Sequence, residues 1–189
     1  MKIKKEVREW LILSGIICII FLGGWQATIA SKMQQLVLTT GIIQPKIAKV
    51  TKNASYAFRL ETMEGEIVDF SNFKGDIIFL NFWASWCPPC LAEMPDIHDL
   101  YEKHHENVSF IMISLDKDRQ KAKDYVSRKE YDFPVYFLAS KLPRNYSVSS
   151  IPTTYLLDQE GKIIVEKQGM AKYDTKKFNN LLRDLAKSE

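Results

Sequence analysis

Cysteine is scarce in this chain, and so are the residues that interrupt regular structure. The 189 residues include three cysteines, eight glycines and seven prolines. Three cysteines are too few for a disulfide framework, and an odd number leaves at least one of them unpaired. Hydrophobic residues form 46% and charged residues 26% of the chain, as in ordinary globular proteins. This composition argues against disordered and collagen-like chains, and we find no internal repeat that would indicate a solenoid.

An excess of basic residues is also missing once the N-terminus is set aside. The formal net charge is +3, and residues 1–30 contribute four basic residues, Lys2, Lys4, Lys5 and Arg8, against two acidic ones. The remaining chain has 22 basic and 21 acidic residues. Because nucleic-acid-binding surfaces are strongly basic, we expect no nucleic-acid partner.

One long run, from Trp10 to Ala30, contains no charged residue. As a helix it would reach roughly 30 Å, enough to cross the hydrocarbon core of a bilayer. The basic residues before it predict a single-pass anchor in the cytoplasmic membrane, with residues 1–9 in the cytoplasm and the later residues on the periplasmic, extracytoplasmic side. A signal peptide cleaved after Ala30 is the alternative, although the apolar run exceeds the usual ~7–15 residues. Cys18 lies in this run and is interpreted as a small buried apolar residue.

Residues 31–53 are predicted to form a linker, and residues 54–189 a separate domain. Alternating and continuous apolar runs predict strands near 56–60, 66–70, 76–83, 108–115, 153–157 and 162–167, with a strand or a connection at 134–138. Helical spacing predicts helices over 88–105 and 118–129, and a last helix with Asp174 as its N-cap. This order of elements indicates an α/β fold in which a sheet is sandwiched between helices.

The other two cysteines lie in the string FWASWCPPC, residues 82–90, where a buried strand is predicted to end and a helix to begin. Free amide groups and the helix dipole favour an anion at this place, so Cys87 is predicted to be a nucleophilic thiolate. Cys90 is close enough in sequence to resolve a mixed disulfide. Pro88 suits the first helical turn. Because neither intervening residue is cationic, the pair is expected to act as a reductant rather than as a strong oxidant.

A zinc site or a static disulfide would be the alternative use of this pair. Zinc needs about four ligands, and the sequence has no second CxxC motif. His98, His104 and His105 follow on the same predicted helix and are interpreted as surface side chains. A structural bridge across so short a loop would stabilise the fold only slightly. We therefore expect redox chemistry carried by the cysteines, with no metal and no cofactor.

The string FLNFWASWCPPC, followed by LAEMP, resembles the active-site region of the thioredoxin-like thiol–disulfide oxidoreductases of the TlpA/ResA family. The resemblance extends from about Ala54 to the C-terminus. It implies a thioredoxin-like fold, with a central mixed β-sheet flanked by helices, behind an N-terminal transmembrane helix. It also implies reduction of disulfides in partner proteins, often apocytochromes during c-type cytochrome maturation, with electrons from a thiol reductant in the membrane.

The same resemblance implies roles for further residues. Glu93 matches the family's active-site glutamate, which would accept or relay protons for the cysteines, and an exposed carboxylate at a helix start is the alternative interpretation. Ile151, Pro152 and Thr153 resemble the loop in which thioredoxin-like proteins hold a cis-proline facing the cysteines. The backbone beside Pro152 would there pair with an extended substrate.

Trp86 and Pro88 are the remaining predicted substrate-binding residues, at the rim of the site. Asn81 occupies a position where cytosolic thioredoxins usually have a buried aspartate. This departure implies that proton transfer relies on Glu93 or on water.

Two other functions remain open at this point. Thiol peroxidases share the fold, but they place the reactive cysteine in a PxxxTxxC setting that Cys87 lacks. A thiolate metal chaperone would need a third soft or imidazole ligand near the pair, and the sequence offers no convincing candidate.

Overall fold

The structure is a computed structural model that describes residues 6–15, 26–45 and 52–187. Its strands are Arg59–Thr62 (β1), Ile67–Asp69 (β2), Ile77–Trp83 (β3), Val108–Ser114 (β4), Val135–Leu138 (β5), Thr153–Leu157 (β6) and Ile163–Gln168 (β7). Its helices are Gln26–Thr39 (α1), Pro88–His104 (α2), Arg119–Lys129 (α3) and Lys176–Ala186 (α4), with a 3₁₀ helix at Phe70–Phe73. Residues 6–15 are also helical.

The strands form one mixed sheet in the order β2-β1-β5-β4-β3-β6-β7. β3 lies parallel to β4 and antiparallel to β6. All seven residues of β3 are buried, as expected for an apolar strand with neighbours on both edges and cover on both faces. Each predicted strand and helix is present, with β1 at 59–62 instead of 56–60, and the segment at 134–138 is a strand. The cysteine pair follows the C-terminal end of β3.

Alternate side chains of β3 enter two separate cores. Ile77, Phe79 and Trp83 face the core that also holds the buried side chains of α2, α3 and α4. Ile78 and Phe82 face the second core. That core is closed by aromatic side chains outside the α-helices, chiefly Phe58, Phe70 and Tyr146.

The prediction of helices on both faces of the sheet is therefore wrong for α2, α3 and α4, which share one face. For α2 and α3 the physical reason is the handedness of the crossovers that contain them. β3–α2–β4 and β4–α3–β5 both join parallel neighbours and both step in the same direction across the sheet. Because such crossovers are right-handed, their helices lie on the same side.

α1 packs against α2, the helix that carries the cysteines. Its inner side buries Ser31 and Leu38, whereas Met33 and Leu36 on its outer side are 66% and 70% exposed. α1 thus spans the boundary at residues 30 and 31 that was predicted between anchor and linker. Within the described residues, no helix combines the length and the apolar character needed to cross a bilayer. Part of the predicted anchor, residues 16–25 with Cys18, lies outside the described residues.

The N-cap of α4 is Thr175, not the predicted Asp174. The Thr175 hydroxyl accepts a hydrogen bond from the Phe178 amide at 3.2 Å. Asp174 is instead engaged by other side chains, since its carboxylate accepts hydrogen bonds from Lys103 at 2.5 Å and from Asn179 at 2.8 Å. These contacts join the C-terminal end of α2 to the start of α4.

Candidate active site

The cysteines occupy the junction between β3 and α2. Cys87 is the N-cap of α2, and its Sγ accepts a hydrogen bond from the Cys90 amide at 3.3 Å. Cys87 and Cys90 form a disulfide with an S–S distance of 2.13 Å and a Cα–Cα distance of 5.3 Å. Pro88 begins the helix, where a missing amide hydrogen costs no bond. A Cys87 thiolate in this position would be stabilised by the Cys90 amide and the helix dipole.

The two sulfur-bearing residues differ in their access to solvent. Cys87 is 3% exposed and lies beside Trp86, which is 60% exposed. Cys90 has no exposed surface. Cys87 therefore keeps a small accessible surface, next to an exposed aromatic side chain, whereas Cys90 keeps none.

The loop before β6 faces the cysteines as predicted. The Ile151–Pro152 peptide bond is cis, and the Ile151 carbonyl oxygen lies 3.7 Å from the Sγ of Cys87. The Pro152 carbonyl accepts a hydrogen bond from the Gly169 amide, and the Thr153 hydroxyl donates to the Ser150 carbonyl at 2.6 Å. Pro152 and Thr153 are buried and these hydrogen bonds hold the loop in place, whereas Ile151 is partly exposed.

Glu93 is fully buried in α2, one helical turn after Cys90. Its Oε1 accepts a hydrogen bond from Asn81 Nδ2 at 2.9 Å, and its Oε2 accepts one from the Ala171 amide at 3.1 Å. Burial raises the pKa of Glu93 to about 8, against the lowering effect of these two hydrogen bonds. The alternative of an exposed carboxylate at the helix start is therefore wrong, and Glu93 can exchange a proton near neutral pH.

Asn81 links this carboxyl group to β6. It lies on the same face of β3 as Phe79 and Trp83, which is the face covered by α2. Its Nδ2 also donates to Thr154 Oγ1 at 2.8 Å. An amide at this position places no second negative charge beside Glu93. The titratable group of the buried network is thus the glutamate on α2.

A second carboxylate of α2, Asp96, was not recognised from the sequence. It accepts hydrogen bonds from the amides of Tyr173 and Asp174, the latter at 2.8 Å. Burial raises the pKa of Asp96, and the two hydrogen bonds oppose that rise. Because Asp96 and Glu93 are three residues apart on α2, both contact the segment 171–174. The i, i+3 spacing of two acidic residues was the available sequence signal.

The histidines of α2 are not equivalent. His104 is buried and its Nε2 lies 2.7 Å from Asn179 Oδ1, so its interpretation as a surface residue was wrong. Within the described residues, donor atoms of His98, Glu102 and Asp132 lie within 4.8 Å of one another. These side chains are partly or fully exposed, and the group does not include either cysteine. It therefore does not complete a thiolate metal site.

The fold and the cysteine geometry together define a thioredoxin-like protein with a redox-active disulfide. The model of the Redoxin family matches residues 49–185. The chain therefore belongs to the Redoxin family.

Curated relatives carry names that agree with this site. The chain is 36% identical over 114 residues to the thiol-disulfide oxidoreductase ResA of Bacillus thuringiensis, covering 59% of this chain. This match spans 66% of the relative's own length, just under two thirds.

Solved structures show the same fold. The crystal structure of StoA from Bacillus subtilis has a TM-score of 0.55 and 30% identity, and the match covers 71% of this chain and 99% of StoA. A thiol:disulfide interchange protein of the thioredoxin family from Chlorobium tepidum has a TM-score of 0.60 at 24% identity, and that match covers 74% of this chain and 99% of the other. The latter likeness concerns the fold alone.

Glu93 should make the stability of the domain depend on pH. In the folded chain its pKa is about 8, whereas its ordinary value is 4.5. The folded state therefore binds one more proton between these values, and its free energy of unfolding falls as pH rises from about 4.5 to 8. Relative to wild type, Glu93→Gln should gain a few kcal/mol from pH 5 to pH 8.5, at about 1.4 kcal/mol per pKa unit. Urea unfolding at several pH values measures this difference.

The matched control for this experiment is Glu106→Gln, which changes an exposed glutamate just beyond α2. Its stability curve should run parallel to that of wild type. A parallel curve for Glu93→Gln as well would show that Glu93 is ionised in the folded chain.

Proposed function

We propose that this protein is a thiol–disulfide oxidoreductase that reduces disulfides in partner proteins through Cys87 and Cys90. The observation that carries the proposal is the hydrogen bond from the Cys90 amide to the Cys87 sulfur at the first turn of α2. A sulfur held there is activated as a thiolate, which is the attacking species in disulfide exchange. The names of the curated relatives support the same chemistry.

Reduction would proceed in two exchange steps. The Cys87 thiolate attacks one sulfur of the partner's disulfide, and the other partner sulfur leaves as a thiolate. Cys90 then loses its proton and attacks the sulfur of Cys87, so the partner's remaining sulfur leaves as a second thiolate. Two electrons have passed to the partner, and the protein holds the Cys87–Cys90 disulfide. No cofactor is needed because the cysteines carry the electrons.

Glu93 is the group proposed to receive the proton of Cys90. Both residues are fully buried, and their spacing on α2 places them on the same side of the helix. A carboxyl group whose pKa is near neutral exchanges protons efficiently at physiological pH. The hydrogen bonds from Asn81 and Ala171 hold its two oxygens in place.

The substrate would bind as an extended segment beside the cis-proline loop. The Ile151 carbonyl lies 3.7 Å from the reactive sulfur, and the exposed Trp86 directly precedes Cys87 in the chain. Main-chain hydrogen bonds to an extended segment give affinity that depends little on its side chains. The family resemblance supports apocytochromes c as one class of substrate.

We further propose that the domain is exported and tethered to the cytoplasmic membrane. The charge-free run from Trp10 to Ala30 and the basic residues before it support this orientation. The apolar outer side of α1, with Met33 and Leu36, directly follows that run and suits the membrane surface. A thiol reductant in the same membrane would return the Cys87–Cys90 disulfide to the dithiol.

The cysteine roles predict different failures for two substitutions. Cys87→Ser should reduce insulin reduction to the uncatalysed rate, because the attacking sulfur is lost. Cys90→Ser should instead accumulate mixed disulfides with the substrate, because nothing resolves them. Insulin turbidity and non-reducing gels measure the two effects, with Cys18→Ala as the control that should retain wild-type turnover. Wild-type turnover by Cys87→Ser would disprove the assigned nucleophile.

The proposed direction of exchange predicts the reduction potential of the cysteine pair. We expect a value nearer the ~−270 mV of thioredoxin than the ~−120 mV of DsbA, since neither intervening residue is cationic. Equilibration of the protein with glutathione buffers, followed by alkylation and mass spectrometry, measures it. A value near that of DsbA would make the protein an oxidant and overturn the reductase assignment.

The membrane proposal predicts where the full chain is found. In a bacterial host it should sediment with membranes, resist alkaline carbonate and require detergent for release, and protease added to spheroplasts should remove its C-terminal domain. Ile16→Lys with Ile20→Lys should lose this behaviour, because each charge at the centre of a spanning helix costs about 2.5–3.5 kcal/mol. A released mature chain that begins at Ser31 would show a cleaved signal peptide instead.

A further inference from the structure

Asp116 is a buried carboxylate with no part in the exchange steps described above. It lies two residues beyond the end of β4 and is 8% exposed. Its Oδ2 accepts hydrogen bonds from the Ser85 amide at 2.8 Å and the Ser114 hydroxyl at 2.9 Å. Its Oδ1 accepts one from the Ser85 hydroxyl at 2.7 Å. Two of these three donors belong to one residue, Ser85.

Ser85 lies in the turn that connects β3 to α2, two residues before Cys87. The backbone on both sides of it is also bonded. The Trp83 carbonyl accepts the Leu115 amide at 2.8 Å, and the Ala84 carbonyl accepts the Cys87 amide at 3.1 Å. The turn is thereby attached to the end of β4 by its main chain and by the carboxylate.

This attachment decides where the reactive sulfur is placed. Cys87 caps α2 with an extended backbone, at φ −97° and ψ 100°, which directs its Sγ toward the Cys90 amide. A change in the path of the preceding residues would rotate Sγ away from the Cys90 amide. Hydrogen bonds to a charged acceptor are stronger than those between neutral groups, so Asp116 restrains Ser85 more firmly than a neutral acceptor would.

We propose that Asp116 is a positioning residue for Cys87, acting through Ser85. The proposal rests on the proposed function, since it explains how that function's nucleophile is held ready. Asp116 fixes the Ser85 main chain and hydroxyl, and the fixed turn holds the Cys87 sulfur at the N-terminus of α2. The carboxylate therefore favours the thiolate indirectly, although a nearby negative charge alone would disfavour it.

The two possible effects of Asp116 on the pKa of the Cys87 thiol have opposite signs. A positioning role lowers this pKa, whereas a direct effect of the negative charge raises it. Asp116→Ala removes all three hydrogen bonds and the charge, whereas Asp116→Asn removes the charge but keeps one acceptor oxygen for Ser85. If Asp116 positions Cys87, the Ala variant should raise the pKa of the Cys87 thiol by roughly one unit, which lowers the thiolate fraction at neutral pH by at most tenfold. The Asn variant should fall between it and wild type.

The experiment measures alkylation of the reduced full-length protein by iodoacetamide as a function of pH, quantified for the Cys87 peptide by mass spectrometry. The reduction potential of Asp116→Ala should also become more negative, because the reduced form loses thiolate stabilisation; the upper limit for one pKa unit is about 30 mV, a tenfold change in the equilibrium constant of the two-electron couple. If Asp116 only stabilises the fold, the pKa of the Cys87 thiol and the reduction potential keep their wild-type values. Because alkylation needs no disulfide substrate, the result stands even if the protein fails to reduce partner proteins.

The matched control is Asp76→Ala. Asp76 accepts a hydrogen bond from the Ser109 hydroxyl at 2.6 Å, so it also joins β3 to β4, but at the ends remote from the cysteines. This variant should leave the pKa and the alkylation rate of Cys87 unchanged. An equal shift of the Cys87 thiol pKa in Asp76→Ala would show that Asp116 contributes only to the general stability of the fold.

Two further outcomes would overturn the proposal. One is a wild-type thiol pKa in folded Asp116→Ala, and the other is a lower thiol pKa in both the Ala and the Asn variants, which would indicate a direct charge effect. If Asp116→Ala does not fold, Ser85→Ala removes only the hydroxyl bond and should raise the thiol pKa by a smaller amount. An unchanged thiol pKa in folded Ser85→Ala would then count against the proposal.

Discussion

The reactivity proposed for this protein depends on an abrupt change of backbone direction after a fully buried strand. β3 is enclosed on both faces and paired on both edges, so its C-terminal end is fixed relative to the whole sheet. Within four residues the chain enters α2, and the Cys87 sulfur accepts the Cys90 amide at that point. Because β3 cannot shift without disturbing two cores, the Cys87 sulfur is held in a fixed position relative to the sheet.

Beneath the cysteines, polar groups occupy a layer that is otherwise apolar. Glu93, Asn81 and Thr154 come from α2, β3 and β6, and each is buried. A buried polar group is costly unless it is hydrogen-bonded, and here the partners satisfy the glutamate oxygens while leaving its proton exchangeable. The network connects the helix that carries the cysteines to the strand that follows the cis-proline loop. The group proposed to relay protons and the loop proposed to bind the substrate are thus physically joined.

Much of this arrangement could be predicted from local sequence patterns. The apolar run of β3, the CxxC spacing and the similarity of the Ile151–Pro152 segment to known loops predicted the junction and the facing cis peptide bond, because these features depend on neighbouring residues. The common side of α2, α3 and α4 depends on strand order, which a pattern of apolar residues does not reveal. The burial of Glu93 and His104 was missed for a similar reason, since their partners Ala171 and Asn179 are 78 and 75 residues away in sequence. Asp116 and Ser85 are likewise brought together only by the parallel pairing of β3 and β4.

The unequal burial of the two cysteines has a consequence for kinetic order. Cys87 keeps a small accessible surface and Cys90 none, so in the proposed reaction the capture of a partner by Cys87 is a bimolecular event whose frequency rises with partner concentration. The enclosed sulfur of Cys90 has a single accessible target, its neighbour, and release is unimolecular at any concentration. A cell that changes the abundance of the partner would therefore alter how often a complex forms, but not how long it lasts.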